Sequence, residues 1–167
     1  MSGVRESALR FPVADLLSHP GSRRSVLVEA MVDWRLDLTR VGPRLTAPLT
    51  MESASGGLVV RGEATTTAVH TCHRCLKEWS EELLVAVLEA LGVDDDPDGY
   101  RLHGDVADLE PVLRDAVLLA VPLSPTCQED CRGLCAVCGA DLNGGSCPGH
   151  DDEPDSPFAS LRGLLDD

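Results

Sequence analysis

Residues 72–92 read CHRCLKEWSEELLVAVLEALG, and the conformation of this stretch decides the fold. Leu76, Trp79, Leu83, Leu84, Val87, Leu88 and Leu91 recur at helical spacing. Trp79, Leu83, Val85, Val87 and Leu91 equally suit one face of a strand interrupted by glutamate. Periodicity alone favours the helix, and leaves the strand open. The stretch opens on a C-x2-C pair, Cys72 and Cys75, far upstream of the other cysteines.

Those others lie in CQEDCRGLCAVCGADLNGGSCPGH, residues 127–150, which hold Cys127, Cys131, Cys135, Cys138, Cys147 and His150. Seven cysteines and His150 make eight ligands, enough for two tetrahedral zinc sites. Cys135, Cys138, Cys147 and His150 give C-x2-C-x8-C-x2-H, a local site closed by the turn-forming Asn143-Gly144-Gly145. Gly139, directly after Cys138, permits the tight approach that a C-x2-C knuckle needs. Cys72, Cys75, Cys127 and Cys131 remain for a first site that would staple two distant segments, and a structural zinc contributes on the order of 10 kcal/mol to folding. A second partition pairs Cys72 and Cys75 with Cys135 and Cys138, but leaves Cys127, Cys131, Cys147 and His150 without a natural spacing.

Other chemistries compete with structural zinc. Reduced thiols without metal, an iron-sulfur cluster, and a redox pair at Cys72 and Cys75 are the alternatives; the last needs a thiolate at a helix N-terminus. A catalytic zinc keeps an open position and a nearby base, whereas both sites here are filled by protein ligands. His70, His73 and His103 read as surface or supporting groups. No phosphate loop, nucleophile elbow or paired-carboxylate signature is present.

Away from the cysteines, Val, Leu and Thr dominate residues 25–71, with Gly42-Pro43 and Gly56-Gly57 as turn signals and a hairpin at the second. Residues 1–24 read as a flexible arm with a short helix near Val13–Leu17. Residues 25–150 form one zinc-stapled domain, and 151–167 an acidic linker with a short apolar helical face at Phe158, Leu161, Leu164 and Leu165. A helix is predicted after Asp108, which can cap it, with Pro111 in its first turn and Pro122 at its end. The fold class is α+β: a small antiparallel sheet, one or two packed helices and a cysteine-rich zinc-binding C-terminal segment.

At 167 residues the chain suits one domain, and with only 3% aromatics its core must rest on Val, Leu and Ala. The net charge of -14 argues against a whole-surface grip on nucleic acid. Residues 1–44 nonetheless carry net +2, and Arg74, Lys77 and Arg132 flank the cysteines. They either offset thiolate charge or offer a patch to an RNA backbone. Without an apolar leader or spanning segment, the expected compartment is the cytoplasm.

C-x-R-C-L at 72–76, G-L-C-x2-C-G-x-[ND]-L-N at 133–143, Cys147 and the terminal SPFASLRGLL resemble the YceD family of bacterial and plastid proteins associated with large-subunit ribosomal RNA accumulation. Two features depart from that pattern: Asp141 where Asn is commoner, and His150 where relatives often place a cysteine. The resemblance implies a strand after Cys75, the ligand partition given first, and a non-enzymatic role in accumulation or assembly of the large ribosomal subunit. It implies as partner large-subunit ribosomal RNA or a ribosomal protein, and the acidic composition suits a basic one. The ligand count adds two zinc ions as cofactor, and neither a membrane nor a small-molecule substrate is expected. The alternatives are a thiol-redox or metal-dependent enzyme, or a zinc-ribbon interaction module in transcription.

Overall fold

The computed structural model describes residues 8–93, 99–145, 147 and 149. In chain order the elements are β1 (Arg10–Pro12), α1 (Ala14–Leu17), β2 (Arg23–Met31), β3 (Trp34–Leu36), β4 (Thr39–Ala54), β5 (Gly57–Thr71), β6 (Glu78–Gly92), β7 (Tyr100–Arg101), β8 (Val106–Asp108) and α2 (Glu110–Ala120). Strands β2, β4, β5, β6 and β7 lie side by side in that order, β3 joins β4, and β1 and β8 form a separate antiparallel ladder.

The deciding stretch is a strand. β6 pairs with β5 antiparallel from Thr71↔Glu78 to Gly57↔Gly92, without a shift of register. Val85, Val87 and Leu91 point into the core, while Leu84 and Leu88 lie on the open face at 66% and 69% exposure. The leucines that suggested a helix are therefore divided between two faces of a sheet. A long neighbour with every ladder bond on offer outweighs a 3.6-residue pattern, because strand formation is decided by pairing and burial more than by intrinsic preference.

The sheet is not small: three of its strands run for 15 or 16 residues. Gly56 does mark the hairpin, with Ala54 paired to Gly57, but Gly42-Pro43 does not separate two strands. It lies inside β4, where the register against β5 shifts between Val41 and Leu45. There β4 changes partner, pairing with β3 before the irregularity and with β2 after it. Gly42 has φ +137, and a Cβ on it would fall 2.2 Å from the Val32 carbonyl oxygen, so only glycine fits the crossing.

α2 packs against β6 and β3, and buries Val112, Leu113 and Val117 on the sheet's inner face. The N-cap is Leu109, without a side-chain cap bond, instead of the expected Asp108, which stands one residue earlier and accepts a hydrogen bond from the Glu110 amide at 3.1 Å. The helix ends before Pro122, as its proline signal requires. The arm reading of residues 1–24 is corrected over its described part. β1 pairs with β8, α1 occupies the expected helix, and Leu9, Val13 and Leu16 are buried in the common core. Apolar residues spaced too sparsely for a periodic signal suffice once a two-strand ladder places them. The acidic linker and short helix expected over 151–167, and His150, lie outside the described residues, as does the acidic segment 94–98.

Candidate metal centre

The loop joining β5 to β6 is the first knuckle. Thr71 and Glu78 still pair, and inside them the Cys72 N–H bonds the Lys77 carbonyl at 2.8 Å while the Leu76 N–H bonds the Cys72 carbonyl at 2.9 Å. The second C-x2-C repeats this pattern: the Cys135 N–H bonds the Ala140 carbonyl at 2.8 Å, and the Gly139 N–H bonds the Cys135 carbonyl at 2.9 Å. Each knuckle then turns on a residue with left-handed backbone, Leu76 at φ 62 and Gly139 at φ 73. Two stretches of different sequence thus adopt one loop, which turns both thiols of each pair to the same side.

Cys127 and Cys131 complete the first quartet. The four sulfurs of Cys72, Cys75, Cys127 and Cys131 lie within 4.8 Å of one another, with Cys72 to Cys131 at 3.8 Å and Cys75 to Cys127 at 3.5 Å. Sulfurs held about 2.3 Å from a common ion at tetrahedral corners would be roughly 3.8 Å apart, so the spacing suits a four-thiolate metal site. Cys72, Cys75 and Cys131 are buried beneath Trp79 and Leu134. Cys135, Cys138 and Cys147 form a second, more exposed group, with Cys147 3.6 Å from Cys135 and 3.7 Å from Cys138. Cys72 and Cys75 therefore meet Cys127 and Cys131, not the second knuckle.

Burial pushes the Cys72 thiol up, but N–H groups of Cys127, Cys75 and Arg74 outweigh it and bring the group down to about 6. Cys127 is pushed up to about 12 by the neighbouring Cys75 sulfur, by burial and by Cys131 and Cys72. A quartet whose members oppose one another's ionisation holds its negative charge in full only around a cation.

The basic residues singled out in the sequence surround this quartet. The Arg74 guanidinium donates to the Cys131 carbonyl at 3.0 Å, Lys77 pairs with Asp141 at 2.7 Å, and Arg132 is exposed, its backbone N–H bound to Asn143 Oδ1 at 2.8 Å. Lys77, together with the amide and side chain of Asn143, holds the Asp141 carboxyl down at about 2. His73 Nδ1 bonds the Pro125 carbonyl at 3.1 Å, tying the knuckle to the segment after α2. His70 is fully buried, between Thr39 Oγ1 at 2.8 Å and Glu81 Oε1 at 2.9 Å, with the Trp79 ring tilted against it at a centroid distance of 5.1 Å. His103 belongs to a tight bridge with Val106.

Sequence reasoning missed the part played by Gly133 and by the Asp141–Asn143 turn. Gly133 has φ +78, and a Cβ there would meet the Arg74 carbonyl oxygen at 3.0 Å. Next to it, the Leu134 N–H bonds that carbonyl at 3.1 Å, bringing the second knuckle's strand against the first knuckle. Asn143 and Asp141 stood in the sequence only as turn material and as a departure from a pattern; their neighbours come from segments too distant for spacing to show.

Among known families, the description "Large ribosomal RNA subunit accumulation protein YceD" matches residues 60–165. An uncharacterized protein of Mycobacterium tuberculosis is 36% identical over 133 residues, covering 74% of this chain. The chain thus spans 63% of that relative's length. An uncharacterized protein of Mycobacterium leprae is 30% identical over 173 residues, covering 95% of this chain and 78% of the relative. A chloroplastic protein of Zea mays, described as large ribosomal RNA subunit accumulation protein YCED homolog 1, is 43% identical over 47 residues, covering 26% of this chain and 16% of that protein. No solved structure matches.

Proposed function

The chain belongs to the YceD family, and from that premise we propose that it is a non-enzymatic cytoplasmic factor supporting accumulation and assembly of the large ribosomal subunit. The observation that carries this reading is the family match over residues 60–165, which takes in most of the β5–β6 hairpin and both cysteine groups. In this reading the quartet Cys72, Cys75, Cys127 and Cys131 holds one zinc ion, and Cys135, Cys138, Cys147 and His150 hold another. Their task is structural: to fasten the loop of a long hairpin to the segment after α2.

The partner is a component of the large subunit, its RNA or a basic ribosomal protein. The protein is favoured because Arg74 and Lys77 are engaged in holding the centre together, and the chain as a whole carries -14. Thiol-redox chemistry at Cys72 and Cys75 is disfavoured on geometry: the pair sits in a hairpin loop instead of at a helix N-terminus, and Cys72 is fully buried.

Depleting the protein should lower large-subunit ribosomal RNA relative to small-subunit RNA, and an unchanged ratio would refute the proposal. Elemental analysis of purified protein should find about two zinc ions per chain. Crosslinked recovery from cells, with RNA and protein both identified, should return large-subunit components; recovery of RNA polymerase instead would favour the transcription module.

A further inference from the structure

The turn Asp141–Leu142–Asn143 lies in sequence between Cys138 and Cys147, and so belongs to the second cysteine group, yet its side chains act on the first. Asn143 Nδ2 donates to Cys131 Sγ at 3.5 Å and to Asp141 Oδ1 at 2.9 Å. Asn143 Oδ1 accepts from the Arg132 N–H at 2.8 Å and from Gln128 Nε2 at 3.5 Å. That backbone N–H fixes which way the amide faces, because a flipped side chain would set its NH2 against the Arg132 N–H and its oxygen against a thiolate. Asp141 Oδ1 also takes the Asn143 N–H at 2.9 Å, and its other oxygen takes Lys77 Nζ at 2.7 Å. The backbone completes the joint: the Leu142 N–H bonds the Gly133 carbonyl at 3.0 Å, and Leu134 bridges Asp141.

Two side chains on one turn therefore touch all three segments that carry cysteines: the first knuckle through Lys77, the 127–132 segment through Cys131, Arg132 and Gln128, and their own loop. An amide N–H to a thiolate remains useful after a metal binds, since it withdraws charge from the sulfur and holds its lone pairs in place. The same bond fixes the loop that must bring Cys147 back to Cys135 and Cys138. Ordering either group orders the turn, and the ordered turn favours the other.

From this we infer that Asn143, held by Asp141 and Lys77, is a clasp through which the two metal centres bind cooperatively, each raising the other's affinity. The inference rests on the reading of both cysteine groups as metal centres. Coupling of this kind is reciprocal by thermodynamic necessity, so it can be measured at the centre whose ligands are all described. The first centre fills first, because three of its four thiols are already buried side by side.

The test is a double-mutant cycle on zinc affinity of the first centre, read by competition with a chromophoric chelator and checked with cobalt(II), whose absorption reports four-thiolate coordination. Cys138→Ser disables the second centre and should weaken the first by about 10- to 100-fold, the usual scale of outer contacts to a metal ligand. In an Asn143→Ala background the first centre should start weaker, and Cys138→Ser should then change it by less than about threefold. Should Asn143→Ala fail to fold, Lys77→Met loosens the other end of the clasp and should cut the coupling at least in half on a logarithmic scale. Undiminished coupling in these backgrounds, or none in the parent chain, overturns the clasp while leaving two bound metals intact. A parent chain that binds no metal overturns the metal reading itself, and the clasp with it.

Discussion

Gly133 and Gly139 offer a controlled comparison of what holds the cysteine groups together. Both have left-handed backbone, at φ +78 and φ +73, so alanine at either costs about 1–2 kcal/mol in conformation alone. Their surroundings differ. A Cβ at Gly139 meets nothing within 4 Å, whereas at Gly133 it meets the Arg74 carbonyl oxygen at 3.0 Å and the Arg74 Cβ at 3.4 Å. Relieving that contact moves the Leu134 N–H off the same carbonyl, forfeiting a hydrogen bond worth about 0.5–1.5 kcal/mol on top of about 1–3 kcal/mol of overpacking. Gly139→Ala should therefore cost about 1–2 kcal/mol, and Gly133→Ala about 2.5–6.5 kcal/mol with weakened metal retention. Urea unfolding followed through Trp79, which packs on the first quartet, gives the stabilities; chelator competition gives the metal. Asparagine tolerates left-handed backbone, so Gly139→Asn should recover part of the loss and Gly133→Asn should not. Equal losses at the two glycines would refute the argument that the Arg74 contact joins the knuckles.

Three further outcomes follow from single contacts. Thr39→Val leaves His70 Nδ1 buried without its partner and should cost about 1–3 kcal/mol in urea unfolding, whereas Thr39→Val with His70→Phe should cost less than the sum of the two single changes. Tyr100 is the chain's one tyrosine, so its ionisation can be followed by ultraviolet absorbance without interference. Burial, then its hydrogen bond to Asp115 and that residue's charge, push the phenol up to about 12. The neutral form is thus favoured by folding, and its stabilising contribution is present below about pH 10 and lost as pH rises through about 12. A midpoint near the ordinary value while circular dichroism still reports folded chain would contradict this, and Asp115→Asn should lower the midpoint. Leu76 is 60% exposed at φ 62, so Leu76→Gly should relieve backbone strain at little packing cost and raise stability by about 0.5–1 kcal/mol, read from the urea midpoint.

What the sequence revealed follows from the range over which each signal acts. The hairpin turn at Gly56, the proline signals of α2 and the spacing of each C-x2-C are local, and each reappears in the structure where the residues put it. The strand at 78–92 was ambiguous because its leucines serve two faces. Only the presence of β5 beside it resolves them, and the family resemblance supplied that neighbour where periodicity could not. Gly42-Pro43 misled for a related reason: a turn dipeptide also serves where one strand changes partner. The grouping of Cys72 and Cys75 with Cys127 and Cys131 came from ligand counting. The contacts that surround those sulfurs, Asn143 on Cys131 and Lys77 on Asp141, have no spacing rule to betray them.

The position of the first quartet also bears on the sheet itself. The knuckle is the turn of the β5–β6 hairpin, so any displacement of the loop by one residue would be transmitted along fifteen paired residues. Because side chains alternate with a period of two, such a slip would turn Val85, Val87 and Leu91 to solvent and Leu84 and Leu88 inward. Both sets are apolar, and burial alone discriminates poorly between them. Two features of this hairpin favour the observed register: the contact of the buried His70 with the half-exposed Glu81 across the strands, and the geometry that Cys72 and Cys75 need to meet Cys127 and Cys131. The cysteines act from the loop end, where β6 would otherwise be free to shift. A metal bound there would therefore select the register of the sheet as well as join the loop to the segment after α2, which ties the residues of the candidate centre to the fold as a whole.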